Sequence, residues 1–424
     1  MLKPTTAPAE QRRRTWPNTL RALRHRNFRL FWFGQLVSLI GSWMQSLAQQ
    51  WLVYTITGSA LAMGTIAAAS SLPVLFVSPF AGVLVDRRSK RAVIVGTQVA
   101  AMLLALALAG LTFAGVAQFW HVVVLAGLSG IVNAIDMPAR QAFTSDMIED
   151  RDDLLNAIAL NSSIFNCARI VGPAVASVLV SAVGLSWAFA LNGASFAPVI
   201  AGLLMMRALP ETAKGRAGSP LGELAEGFRY AVSTPIIRTI LLLVLVPSIF
   251  GFAYTTLLPI FADQILVVSE GRLAEGSSRL GLLMMANGLG AFSAGVAMAR
   301  AGKDRSRRKA LLGGGLGFGV GVTLLAATRS FWLALPVMVL IGYATITFLA
   351  TCNTVLQTSS LDRLRGRVMS FYVMTLIGLG VLGSLQAGLV AEYWGAPAAT
   401  AIGGLSCVLS TLLAFRSKAL KDLG

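Results

Sequence analysis

Apolar residues fill this chain in long runs, and short polar stretches break the runs at near-regular intervals. Mostly apolar windows fall at 29–54, 60–84, 91–114, 117–141, 155–181 and 184–207. Six more follow at 236–262, 277–300, 308–328, 330–357, 367–390 and 393–415. Each is long enough to cross the hydrocarbon as a helix, which takes about 20 residues for roughly 30 Å. The pattern predicts an all-α membrane protein of twelve transmembrane helices.

The polar breaks carry most of the positive charge. Lys and Arg cluster at 1–29, 86–91, 140–151, 207–238, 300–309, 363–367 and 416–421, and these clusters hold 31 of the 35 basic residues. Arg272, Arg279 and Arg329 fall between clusters, and Arg169 stands alone inside an apolar run. Connections therefore alternate between basic and nearly uncharged, the pattern that places basic loops on the cytoplasmic side. Both termini are expected there. The basic N-terminus runs into the first apolar window without a small-residue cleavage site, so that helix is expected to be retained.

Composition changes the meaning of the net charge. A formal charge of +17 would suit a nucleic-acid binder, but 55% of residues are hydrophobic and 12% charged. No basic patch interleaves with aromatics for base stacking, so nucleic acid is not an expected partner. Anionic lipid head groups are the better match for the basic loops, with the bilayer itself as partner.

The longest connection divides the spans six and six. The expected organisation is a basic cytoplasmic segment at 1–28, a six-helix bundle at 29–207, a cytoplasmic linker at 208–235, a second six-helix bundle at 236–415 and a cytoplasmic tail at 416–424. Within the linker Ser219 can cap a helix that has Pro220 at its first position. Leu221, Leu224, Phe228 and Val232 fall on one side of that helix, as in an amphipathic helix lying on a membrane surface. A simple tether is the alternative.

Polar residues are costly inside a membrane helix, so their spacing is informative. The first span carries Gln35, Ser38, Ser42, Gln45 and Gln49, the fifth Ser162, Asn166, Arg169 and Pro173, and the tenth Thr347, Thr351, Thr354 and Thr358. Steps of three and four put each set on one face of its helix. Such stripes line an aqueous substrate cavity or form hydrogen-bonded seams between helices. For the first span the number of amides and hydroxyls favours the cavity. Threonines can bond their own backbone, which leaves the tenth span open between the two.

Two acids fall within the spans, Asp136 in the fourth and Asp263 near the far end of the seventh. Arg169 needs a counter-charge or water. Asp136 facing Arg169 across the fourth and fifth spans is one arrangement, with Asp136 taking up a proton during transport. Arg140, four residues on, competes as the partner, and a fixed structural ion pair is the plainer alternative.

The two halves repeat a short charged pattern. Asp86-Arg87-Arg88-Ser89-Lys90-Arg91-Ala92 leads to Gly96, and Asp304-Arg305-Ser306-Arg307-Arg308-Lys309-Ala310 leads to Gly314. Two repeats of six helices related by an axis along the membrane normal are a transporter architecture.

Gly82-Val83-Leu84-Val85-Asp86-Arg87-Arg88-Ser89-Lys90-Arg91 resembles the loop signature between the second and third helices of the major facilitator superfamily. Ser89 stands where that pattern has its second glycine. The resemblance implies a conformational latch at Gly82, Asp86, Arg87 and Arg91. Ala134-Ile135-Asp136-Met137-Pro138-Ala139-Arg140, Ala168-Arg169-Ile170-Val171-Gly172-Pro173, Asn27-Phe28-Arg29-Leu30-Phe31-Trp32 and Arg365-Gly366-Arg367-Val368-Met369-Ser370 resemble the branch called transmembrane secretion effectors. That branch implies two pseudo-symmetric bundles, alternating access and export of small amphipathic molecules such as drugs or siderophores, with a proton as coupling ion. Gly172-Pro173 is similar to an antiporter signature of the fifth helix, but Ala176 and Ser177 replace its closing glycines. The arginine of proton-coupled relatives within the fourth helix is absent around 127–133.

Other chemistry is not indicated. Cys167, Cys352 and Cys407, with His25 and His121, have no metal-site spacing, and no Walker-type phosphate loop occurs. Gly378, Gly380 and Gly383 spell a dinucleotide fingerprint without its strand–turn–helix context. No cofactor and no enzymatic activity are expected. A lipid or lysolipid transporter, or a membrane sensor or scaffold without turnover, are the alternatives to an exporter.

Overall fold

The computed structural model describes residues 18–148, 151–207, 220–268, 271–301, 306–361 and 364–421. Among them there is no strand. The helices are α1 (Arg26–Thr57), α2 (Ala60–Arg87), α3 (Lys90–Phe113), α4 (Phe119–Asp146), α5 (Arg151–Val183), α6 (Leu185–Leu204) and α7 (Pro220–Ser233). There follow α8 (Pro235–Val246), α9 (Tyr254–Ile260), α10 (Gly276–Ala301), α11 (Arg307–Ala327), α12 (Phe331–Ser359), α13 (Arg365–Val373), α14 (Gly380–Trp394), α15 (Ala396–Phe415) and α16 (Lys418–Lys421).

Eleven segments among the described residues are long and apolar enough to cross a membrane. Helix α1 is not one of them, although its 32 residues make it among the longest. Its line of glutamines and serines lowers its hydropathy, so the stripe singled out above is also what hides this span from a composition test. Two windows that read as single helices are interrupted. Residues 235–265 run as α8, a π-helical turn at Pro247–Gly251, α9 and a second π turn at Phe261–Ile265. Between α13 and α14 lies a third, Met374–Gly378. Pro247 supplies no N–H to the ladder, which favours a local change of hydrogen-bond register there.

Local chemistry sets the turns. Single glycines with φ of +93° at Gly184 and +85° at Gly395 join α5 to α6 and α14 to α15. A side chain is strained in that region, so the same sharp reversal is built at matching places in the two sets of helices. Ser89 caps α3 by accepting from the Ala92 N–H, and Ser306 caps α11 by accepting from Lys309. Two residues after each cap, an arginine reaches the C-terminal carbonyls of the last helix of its set. Arg91 donates to the Leu204 and Met206 carbonyls, and Arg308 to the Phe415 carbonyl. The caps therefore align Arg91 with Arg308 and Gly96 with Gly313, one residue earlier than the sequence spacing to Gly314 suggests.

Helices α1–α6 pack mainly on one another, as do α8–α15, and the two sets meet chiefly through α2 against α14 and α5 against α10. Small residues allow the close crossings. A Cβ on Gly281 of α10 would lie 2.3 Å from the Cβ of Ser177 on α5. The glycine of this crossing thus comes from α10, where the antiporter-like pattern would have placed it on α5.

The described part of α7 docks on α13. Arg367 pairs with Glu226, the Phe228 and Phe371 rings stand 5.9 Å apart, and the Tyr230 hydroxyl accepts from the Leu361 N–H. Ala231 is buried, whereas Phe228 and Val232 of the apolar side remain 59% and 45% exposed. Ser219 lies outside the described residues, as do the side chains of Leu221 and Leu224.

Candidate functional site

The stripe on α1 divides in two. Ser42, Gln45 and Gln49 line a cavity of about 370 Å³ together with Ser46 and Gln50. Helix α4 adds Ser129 and Asn133, α6 adds Asn192, and Thr255 and Thr256 come from α9. The named lining groups are amides and hydroxyls, with no formal charge. Asn192 donates to the Gln45 side-chain carbonyl at 2.6 Å, which fixes one wall. Gln50 keeps a buried side-chain oxygen with no hydrogen-bond partner. Gln35 and Ser38 do not reach this cavity and are buried. The neighbouring Gly34 and Gly41 press α1 onto α6 at Val199 and Ser195, so this end of the stripe belongs to a helix–helix seam.

Thr351 and Thr354 of α12 bond their own helix's backbone, and Thr354 is exposed. Thr347 and Thr351 are buried, Thr351 donates to the Thr347 carbonyl and Thr354 to the Ala350 carbonyl. In α5, Asn166 donates to the Ser162 carbonyl one turn back. None of these four lines the cavity described above.

Asp136 and Arg169 do not face one another. Asp136 pairs with Arg140 on its own helix and accepts from Thr97 at 2.6 Å and from Gln98 at 3.0 Å, both on α3. One helical turn separates Asp136 from Arg140, so the local pair forms without any tertiary cost, and α3 supplies the remaining donors. The carboxylate is buried with charge and hydrogen bonds satisfied.

Arg169 points across the junction of the two helix sets. Its guanidinium donates to the Asn287 side-chain carbonyl on α10 at 2.5 Å and lies 5.9 Å from the centre of the Trp43 ring. Asn287 in turn donates to the Tyr254 hydroxyl at 3.1 Å and to the Met338 carbonyl. Gly172, just beyond, seats α5 against α1, and the Pro173 carbonyl faces Gly281 of α10. A Cβ on Gly172 would lie 2.5 Å from that of Trp43.

Further cross-links join the two sets where α1 ends and α2 begins. Tyr54 donates to Asp263 at 2.6 Å, and Gln264 donates to Tyr54 at 3.0 Å. Glu392 on α14 accepts from the Ser59 hydroxyl and the Leu61 N–H at the start of α2. Arg279 is fully buried beside this corner and donates to the backbone carbonyls of Ala262, Val268 and Leu273, fixing the connection from α9 to α10.

At the opposite end lie the basic clusters. Of the latch residues, Gly82, Asp86 and Arg87 have side chains outside the described residues, and Arg91 caps α6 as given above. The N-terminal stretch Asn18–Arg24 forms a 3₁₀ turn on the start of α5. There the fully buried Asp153 meets Arg21, Arg24 and His25, and the Asn156 side chain bonds Ala22 and Thr19. Sequence reasoning missed Asn287, Asn192, Tyr54 and Asp153. A lone Asn in an apolar span, as at Asn287 and Asn192, is a usable signal; the other two have none that separates them from ordinary polar residues.

Eleven apolar helices and the polar stripe of α1, packed as two sets around an uncharged polar cavity, define a multi-pass integral membrane protein with a transporter fold. The nucleoside transporter NupG, in a variant form, has the same fold, with a TM-score of 0.73 at 14% identity over 95% of this chain and 100% of that one. The chain belongs to the transmembrane secretion effector family, whose pattern matches residues 18–422. It is similar to the multidrug efflux pump Tap of Mycolicibacterium fortuitum, 26% identical over 86% of this chain and 88% of that one. It is also similar to the staphyloferrin A transporter of Staphylococcus aureus, 25% identical over 90% and 94%.

Proposed function

We propose that this protein is a secondary active exporter of small amphipathic molecules, of the drug or siderophore kind, in a bacterial cytoplasmic membrane. The observation that carries the reading is the uncharged amide- and hydroxyl-lined cavity between α1, α4, α6 and α9, set within helices apolar enough to span a bilayer. An amphipathic solute gains hydrogen bonds there without losing apolar contact. The family and the similar efflux pump and siderophore transporter support the direction and the substrate class.

Counting α1 gives twelve spans, and the basic loops then put both termini in the cytoplasm. The units at 29–207 and 236–415 rock against each other as rigid bundles. Cross-links at Tyr54–Asp263 and Ser59–Glu392 close the external end, as expected of an inward-open conformation. A proton drives the cycle, with Asp136 as its acceptor when Arg140 releases the carboxylate. Gly82, Asp86, Arg87 and Arg91 form the latch at the cytoplasmic end.

Accumulation assays test the reading. Cells expressing the protein should accumulate less of at least one compound in a panel of drugs and siderophores, and a protonophore should abolish the difference. Unchanged accumulation across the panel, with the protein verified in the membrane, would sink it.

A further inference from the structure

Arg169 lies near the midpoint of α5, and a guanidinium at that depth is expensive to hold. Nothing acidic among the described residues neutralises it. Asp136 is taken by Arg140, Thr97 and Gln98, and Asp263 is bonded by Tyr54. The neutral Asn287 carbonyl is its described hydrogen-bond acceptor, although a guanidinium carries five N–H donors. Asn287 is itself fixed through Tyr254 and Met338, so the guanidinium is oriented with its charge uncompensated.

The surroundings suit an aromatic anion. The Trp43 ring lies under the guanidinium, and Phe165 packs edge-on to Trp43 at 5.7 Å between ring centres. None of this cluster lines the polar cavity, but Trp43 and Tyr254 are chain neighbours of residues that do. Ser42 lines the cavity and Trp43 meets Arg169; Thr255 and Thr256 line it and Tyr254 holds Asn287. Both helix sets contribute, α5 with Arg169 and α10 with Asn287.

Resting on the reading of this cavity as a transport site, we infer that Arg169 is the recognition group for a carboxylate on an aromatic, amphipathic substrate. The carboxylate takes the free N–H groups of the guanidinium, where a charge-assisted fork is strong and directional. The aromatic body lies against Trp43 and Phe165, and the neutral polar remainder reaches the amides of the cavity. Because Asn287 sits on the other helix set, the anion is bound where the two sets are held together.

The test uses the purified full chain in detergent, with 2-naphthoate and its neutral analogue 2-naphthamide as probes. Affinities come from ligand-detected NMR titrations, with empty micelles as the partition background. The wild-type protein should bind the carboxylate at least about tenfold more tightly than the amide, as expected for a charge-assisted pair. Arg169→Gln should remove the preference, and Arg169→Lys should keep part of it. Asn287→Asp leaves the arginine in place but supplies an internal carboxylate, and should also remove the preference.

Equal affinity of the two probes for the wild type, or no naphthoate binding above the micelle background, would overturn the inference. So would a preference that survives Arg169→Gln or Asn287→Asp. Export is read separately. A protein that discriminates the probes but exports nothing contradicts the transport reading alone, and one that exports only neutral compounds without discriminating contradicts the anion site alone.

Discussion

The Tyr54 hydroxyl donates a 2.6 Å hydrogen bond to the Asp263 carboxylate, tying the end of α1 to the π turn that ends the span at 235–265. A hydrogen bond to a charged acceptor contributes about 1.5–3 kcal/mol, enough to shift a two-state equilibrium by an order of magnitude or more. Tyr54→Phe should therefore enlarge the outward-open population roughly tenfold. Spin labels at the exposed Val116 and Trp332, in a background without native cysteines, should show a longer-distance component that the parent lacks. An unchanged distance distribution would remove this bond from the gate.

The close crossing of α5 and α10 depends on a missing side chain. Gly281→Val places methyl groups where the Ser177 Cβ already stands within 2.3 Å of a new Cβ. Overpacking of this kind costs about 1–3 kcal/mol and should lower both thermal stability and transport. Gly96→Val, at a site with nothing within 4 Å, is the matched control and should leave both readouts near the parent level apart from a small helix-propensity gain.

Breaking the Asp136–Arg140 pair should be costly on one side and partly recoverable on both. Asp136→Asn strands Arg140 and is expected to destabilise by about 3–5 kcal/mol. Adding Arg140→Gln removes the stranded charge, so the double variant should melt above Asp136→Asn alone. Additive losses in a thermal unfolding cycle would show that the two groups are not partners.

The two ends of the α1 stripe should behave differently. Gln49→Ala, at the cavity wall, should weaken substrate affinity with little change in melting temperature. Gln35→Met replaces a buried amide whose side-chain oxygen has no partner, so it should be neutral or stabilising and leave substrate affinity unchanged. Transport kinetics and thermal unfolding of the two single variants separate these outcomes.

Most of the helix pattern is legible in the chain because apolar length is a one-dimensional signal. It fails where a helix changes register without changing composition, at Pro247–Gly251, Phe261–Ile265 and Met374–Gly378. The repeat is legible in its charges but one residue out of step, since capping by Ser89 and Ser306, not the position of the acids, sets the start of α3 and α11. At the site, spacing identifies the α1 stripe but cannot say where cavity gives way to seam, because that depends on Gly34 and Gly41 meeting α6. Asp136–Arg140 is visible as a one-turn spacing. The partner of Arg169 is a neutral amide 118 positions away, and no charge pattern points to it.

Alternating access of the α1 cavity is tested most directly by placing a cysteine at Ser42, with Cys167, Cys352 and Cys407 replaced. A membrane-impermeant thiol reagent is then applied to right-side-out and inside-out vesicles. The account predicts rapid modification from the cytoplasmic face, slow modification from the external face, and a faster external rate in the Tyr54→Phe background. Reaction from the external face alone, or an external rate indifferent to Tyr54, would contradict it.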